Sequence, residues 1–140
     1  MGLALELFFV NESEPESEPE KEVVVVAFDH EKLDVYQTAI VFLSRANDVA
    51  ENLPRGRGYL ADQLQRAALS IVLNIAEGAG KFSPKDKAAF YARARGSTTE
   101  CAAVLDVCEC LSLIPEMKTD NKQILERIAK MLTKLIKAQK

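Results

Sequence analysis

At 140 residues the chain has the length of one domain and can bury a core without disulfide or metal staples. Six glycines, five prolines and no tryptophan, with alanine and leucine common, favour an all-helical domain. The net charge of −3 is unevenly spread: residues 1–31 carry nine acids and one lysine, whereas residues 32–140 carry twelve acids and seventeen bases, a net of +5.

The chain begins with MGLALELFFV, which is apolar but lacks a basic flank and makes a poor signal peptide. No stretch reaches the run of about 18 apolar residues that a membrane span needs, so the reading is a cytoplasmic protein with no membrane partner. Residues 11–22, NESEPESEPEKE, are acidic and of low complexity, and are expected to be disordered. The β-branched run Val23–Phe28 prefers an extended state and can dock on the folded part. Residues 1–31 are therefore read as an acidic flexible leader and 32–140 as the folded domain.

The first helix is predicted from Leu33 to Leu53, ended by Pro54 and Gly56. It carries two apolar stripes. Leu33, Tyr36, Ile40, Leu43 and Ala50 make one, taken as the core face; Val35, Ala39, Phe42, Ala46, Val49 and Leu53 make the other. A second helix, Tyr59 to Gly78, places Leu60, Leu64, Ala67, Ala68, Ile71 and Ile75 on one face. Ser83, Pro84 and Asp86 then form a serine cap, a first-turn proline and an acidic residue, opening a third helix that runs to Leu113. Gly96, inside that helix, is read as a place where another backbone comes close. The fourth helix, Asp120 to Ala138, again has two stripes: Ile124, Ile128, Met131 and Leu135 for the core, and Leu125, Ala129, Leu132 and Ile136 beside them. Short connections between long helices predict an all-α, antiparallel up-down-up-down four-helix bundle. The surplus stripes argue against a monomer, with Val35, Phe42, Val49, Leu132 and Ile136 assigned to the contact between subunits.

That topology puts the turn between helices two and three at the same end as both chain termini. Lys81, Lys85 and Lys87 there join Lys32, Lys134, Lys137 and Lys140. With Arg93 and Arg95, the residues Lys81, Lys85, Lys87, Lys134 and Lys137 are the candidate contacts for a phosphate backbone. Arg66, Asn74, Glu77 and Glu100 are polar residues on small-residue faces and are read as structural, with Arg66 and Glu100 meeting across the helix pair. The acidic leader, entering at the basic end, is expected to lie over it and compete weakly with phosphate.

The words Asn74-Ile75-Ala76-Glu77-Gly78, then Ala94-Arg95-Gly96-Ser97 with Glu100, and Ser83-Pro84-Lys85-Asp86 between them, resemble the family of four-helix-bundle proteins encoded in 23S ribosomal RNA intervening sequences. Leu33 to Ala39, Pro54 and Gln63 to Ala67 extend the resemblance, which covers residues 32–138. It implies a ring-like homopentamer and a link to nucleic acid. A related branch serves as accessory protein to a reverse transcriptase.

Parts for catalysis are lacking. The single histidine, His30, is far in sequence from the carboxylates Glu77 and Asp86, and Ser97 lies mid-helix without a base partner. Gly78 to Lys81 is too short for a phosphate loop. Cys101, Cys108 and Cys110 form no metal-ligand spacing and read as small hydrophobes, so no metal, cofactor or small-molecule substrate is expected. The sequence thus predicts a non-enzymatic homo-oligomer that engages RNA, DNA or a nucleic-acid enzyme through basic residues. The alternative is a scaffold ring that binds proteins alone.

Overall fold

The computed structural model describes residues 28–115 and 119–139. What the sequence predicts for residues 1–27 and for Lys140 lies outside the described residues. A short 3-10 turn, Asp29–Lys32, leads into four α-helices: α1 (Asp34–Glu51), α2 (Gly58–Ala79), α3 (Pro84–Cys110) and α4 (Thr119–Ala138). Each helix packs on the next and α4 closes on α1, giving the up-down-up-down bundle that the short connections predict. The tightest pair is α2 with α3 and the loosest is α1 with α4.

The core is a column of small and branched side chains centred on Phe42, Leu64, Ile71, Ile75, Ile128 and Leu132, each at 1% exposure or less. Burying side chains of this size is worth about 1.5–3 kcal/mol each. Here the structure corrects the stripe assignment. Val35, Phe42 and Leu132 are buried inside the subunit, so they cannot cover a neighbouring one. Val49 and Ile136 are half-buried and pack on the same core. The reason is angular. α1 lies between α2 and α4, so its buried arc is wide and centred on Val35, Ala39, Phe42 and Ala46. Tyr36, Ile40 and Leu43, expected inside, flank that arc and stay half-buried. On α4, Leu125, Ile128 and Leu132 are central, while Ile124, Met131 and Leu135 are half-buried.

The helix ends follow local chemistry. Ser83 Oγ accepts from the Asp86 amide at 3.0 Å and Pro84 occupies the first turn of α3. α3 stops at Cys110, short of the predicted Leu113. Leu113 N donates to Cys108 O at 2.8 Å and Ser112 N to Glu109 O at 2.9 Å, a Schellman closure with Ser112 in the left-handed region (φ 58°). No glycine marks this end, so the sequence carries no warning of it.

The close approach between α2 and α3 occurs at Gly78. A Cβ added there would stand 2.9 Å from the Tyr91 ring and 3.0 Å from Phe90 Cβ. Gly96 faces open space within the subunit, so the expectation of a backbone neighbour there is not met inside one chain. Asp29–Lys32, whose first three residues fall in the segment read as leader, form a 3-10 turn against α2 and α1. His30 lies in it, its ring 4.5 Å from that of Tyr36 and 5.7 Å from that of Phe28.

A candidate nucleic-acid interface on α4

The predicted cations fall into two groups. Around the α2–α3 turn, Lys87 Nζ donates to the carbonyls of Ala79 (2.8 Å) and Gly78 (3.5 Å), closing the C-terminal end of α2, where a cation also offsets the helix dipole. Lys81 lies 3.6 Å from Glu77 and 5.0 Å above the Phe90 ring. Arg93 covers the same ring at 4.4 Å. These three side chains are engaged within the subunit. Lys85, next to them on α3, is exposed.

The second group lies along the outer face of α4. Lys134 and Lys137 are exposed there, and so are Arg127 and Lys130. Their spacing of three, four and three residues puts all four on one side of the helix, along about 15 Å of axis. That length spans about four phosphates of one nucleic-acid strand at about 3.4 Å each. No carboxylate among the described residues lies within 4.0 Å of any of the four charged groups. Arg95 approaches from α3: its Nε donates to Thr133 Oγ1 at 2.7 Å, and Thr133 in turn donates to Ala129 O at 3.0 Å. Thr133 stands between Lys130 and Lys137, so Arg95 flanks the row.

Arg127 and Lys130 are absent from the sequence-based set because that set groups cations by the end of the bundle they occupy. The signal that finds them is the helical spacing of the polar side of α4, which the apolar stripes already define.

The polar residues read as structural divide as well. Asn74 Nδ2 donates to Ser70 O (2.9 Å) and Ser70 Oγ (3.1 Å), and Ser70 Oγ meets Ser97 Oγ at 2.8 Å across the α2–α3 seam. Glu100 accepts from Gln63, and Arg66 turns to Asp62 on its own helix at 3.0 Å. The expected Arg66–Glu100 contact is therefore corrected. Glu100 stands seventeen residues after Ser83, and the residue seventeen before Gly80 is Gln63, so equal depth selects Gln63.

Cys101 and Cys108 are buried and Cys110 is exposed, all as free thiols. Burial, then the charge of Glu100, pushes the Cys101 thiol up to about 12; burial also raises Cys108. Burial, with a smaller contribution from Asp29, raises the Tyr91 phenol. Among the described residues no group of three His, Cys, Asp or Glu side chains is placed to hold a metal ion, and no helix is long and apolar enough to cross a membrane.

The profile of the 23S rRNA-intervening sequence protein family matches residues 31–134, which takes in all of α1 to α3 and most of α4. The chain belongs to that family. A comparison with curated proteins gave no match. In this member of the intervening-sequence family, the matched span includes Arg127, Lys130 and Lys134 of the α4 row.

Proposed function

We propose that this intervening-sequence family protein is a cytoplasmic, non-enzymatic homo-oligomer that holds the phosphate backbone of a nucleic acid along α4. One observation carries the reading: Arg127, Lys130, Lys134 and Lys137 form an exposed row with no carboxylate partner among the described residues. A cation without an internal partner is free to displace counterions from phosphate, the main source of sequence-independent affinity. The row consists of arginine and lysine alone, the residue types that neutralise phosphate, so the proposed contact is with the backbone rather than the base edges. The family name ties the fold to a ribosomal RNA insert, which makes RNA the first ligand to test. A reverse transcriptase would meet the same row through its bound strand.

Assembly is supported by the α1–α4 seam. There a groove of about 350 Å³ is lined by Leu33, Met131, Leu135 and Ala138, with buried Val35 beneath it and Asp34 and Lys134 also in its lining. A second subunit seated on this seam buries apolar surface that a monomer leaves wet. A ring, pentameric as the family resemblance implies, multiplies the α4 row and raises avidity. The same groove favours the alternative reading, a scaffold whose partners are proteins.

Titration of RNA and DNA across a salt series separates these readings. Affinity that falls steeply and linearly in log–log form supports phosphate binding. No binding at low salt, or binding indifferent to salt, rejects it. Light scattering at micromolar concentration tests assembly: a mass near 15.5 kDa rejects the oligomer.

A further inference from the structure

Two hollows mark the outer side of α2, one at its foot against the Asp29–Lys32 turn and one midway against α1, and with the exposed leucines between them they outline a channel. The foot, about 450 Å³, is lined by Phe28, Ala76, Gly80 and Phe82 together with polar Asp29, His30 and Glu77. The upper hollow, about 480 Å³, is lined by Ile40, Leu43 and Leu69 with polar Ser44, Asn47 and Gln65 at its head. Leu73 stands between them at 55% exposure, and Leu69 is 45% exposed. The described chain starts at Phe28, on the foot of this channel, with extended backbone (φ −125°, ψ 147°). The five residues just before it are Val23, Val24, Val25, Val26 and Ala27.

We propose that Val23–Ala27 of this chain lies extended in the α1–α2 channel, with Val26 on Leu73 and Val24 on Leu69. The spacing supports it. Alternate residues of an extended chain point the same way and stand about 6.6 Å apart, so Val26 and Val24 share the face of Phe28. Residues four apart on a helix stand about 6 Å apart, and Glu77, Leu73 and Leu69 rise from the foot at that interval. On the opposite wall Tyr36, Ile40 and Leu43 rise in step, all half-buried. Phe28 and two positions of the segment therefore meet three levels of the channel with no loop to close. Charge agrees with the direction. One further step brings Glu22 to the level of Gln65, and the next brings Glu20 beyond it. That places the acids toward Arg66, Arg55 and Arg57 and the positive N-terminal end of α2. The acidic run is thereby led away from the α4 row, against the masking that net charge alone predicts.

Paired cysteines in the full-length chain, with exposed Cys110 changed to Ser, test the register. Val26→Cys with Leu73→Cys, and Val24→Cys with Leu69→Cys, should close a disulfide within one chain under mild oxidation. Val25→Cys with Leu73→Cys should do so about tenfold more slowly, because its side chain points to solvent. Disulfides between chains, which would mean a second copy fills the channel, or equal rates for positions 25 and 26, overturn the proposal. A second measurement needs no cysteine. An elastase-type protease, which cuts after small aliphatic residues, should cleave within residues 23–27 about tenfold faster in the doubly substituted Leu69→Asp, Leu73→Asp chain than in the parent. Both leucines are exposed, so the variant keeps its core, which a thermal melt confirms. Equal cleavage rates overturn the proposal.

Discussion

At the α2–α3 turn, Lys81, Lys87 and Arg93 each contact a carboxylate, a carbonyl pair or a ring of their own subunit. Along α4, Arg127, Lys130, Lys134 and Lys137 contact no carboxylate among the described residues. Both regions are basic, yet they differ in what their charge is already doing. A lysine that closes a helix must give up two carbonyls before it can take a phosphate, whereas a solvated lysine gives up only counterions. Counting bases by region therefore does not separate engaged from solvated charge, and asking which bases lack a carboxylate partner is what favours the proposed site on α4. The same contrast runs through the backbone. Gly78, at the turn, is pressed against aromatic side chains, and Gly96, farther along α3, faces open space.

The packed region should respond to perturbation in stability and the open region in binding. The largest stability effect is expected with pH. The Cys101 thiol has an ordinary value of 9.0 and is pushed up to about 12 by burial. Between those values the unfolded chain loses the proton and the folded chain keeps it, so stability is intact below pH 9 and falls as pH rises toward 12. The slope from this group approaches about 1.4 kcal/mol per pH unit at most. Urea melts from pH 8 to 11 check it, and Cys101→Ala should flatten the curve. Gly78→Ala should cost about 1–3 kcal/mol, because the added methyl overlaps Tyr91 and Phe90. A melting temperature equal to that of the parent would show the α2–α3 seam to be looser than described. Lys87→Met should cost about 1 kcal/mol through the lost carbonyl contacts and leave RNA affinity unchanged. Gly96→Ala is the mirror case: with helical backbone and open space, it should stabilise by about 0.5–1 kcal/mol, read by the same melts.

Much of the bundle is legible in the sequence, and what is not has physical causes. Helix positions follow from the 3.6-residue repeat, the Ser83-Pro84 start and the Pro54 stop, and all four helices lie where these place them. Which stripe faces inward does not follow. On α1 the stripes through Val35 and Tyr36 are similarly apolar, and the choice between them is made by the neighbours on either side. Burial of Val35, Phe42 and Leu132 is a tertiary outcome. The α3 end at Ser112 is hidden because a serine takes the left-handed position usually given to glycine. The α4 row lies in plain spacing, since Arg127, Lys130, Lys134 and Lys137 repeat as a helix face. It emerges once the polar side of an amphipathic helix is read as carefully as the apolar side. Partner states, such as Lys87 on its carbonyls, exist only in three dimensions.

The salt dependence of RNA binding by two matched variants tests the central claim most directly. One variant removes Lys130 and Lys134 by alanine substitution, the other removes Lys81 and Arg93. If the α4 row holds the phosphates, the first lowers the slope of log affinity against log salt by about two, and the second leaves it unchanged. An unchanged slope for the α4 variant, or an equal loss in both, would contradict the assignment of the site to α4.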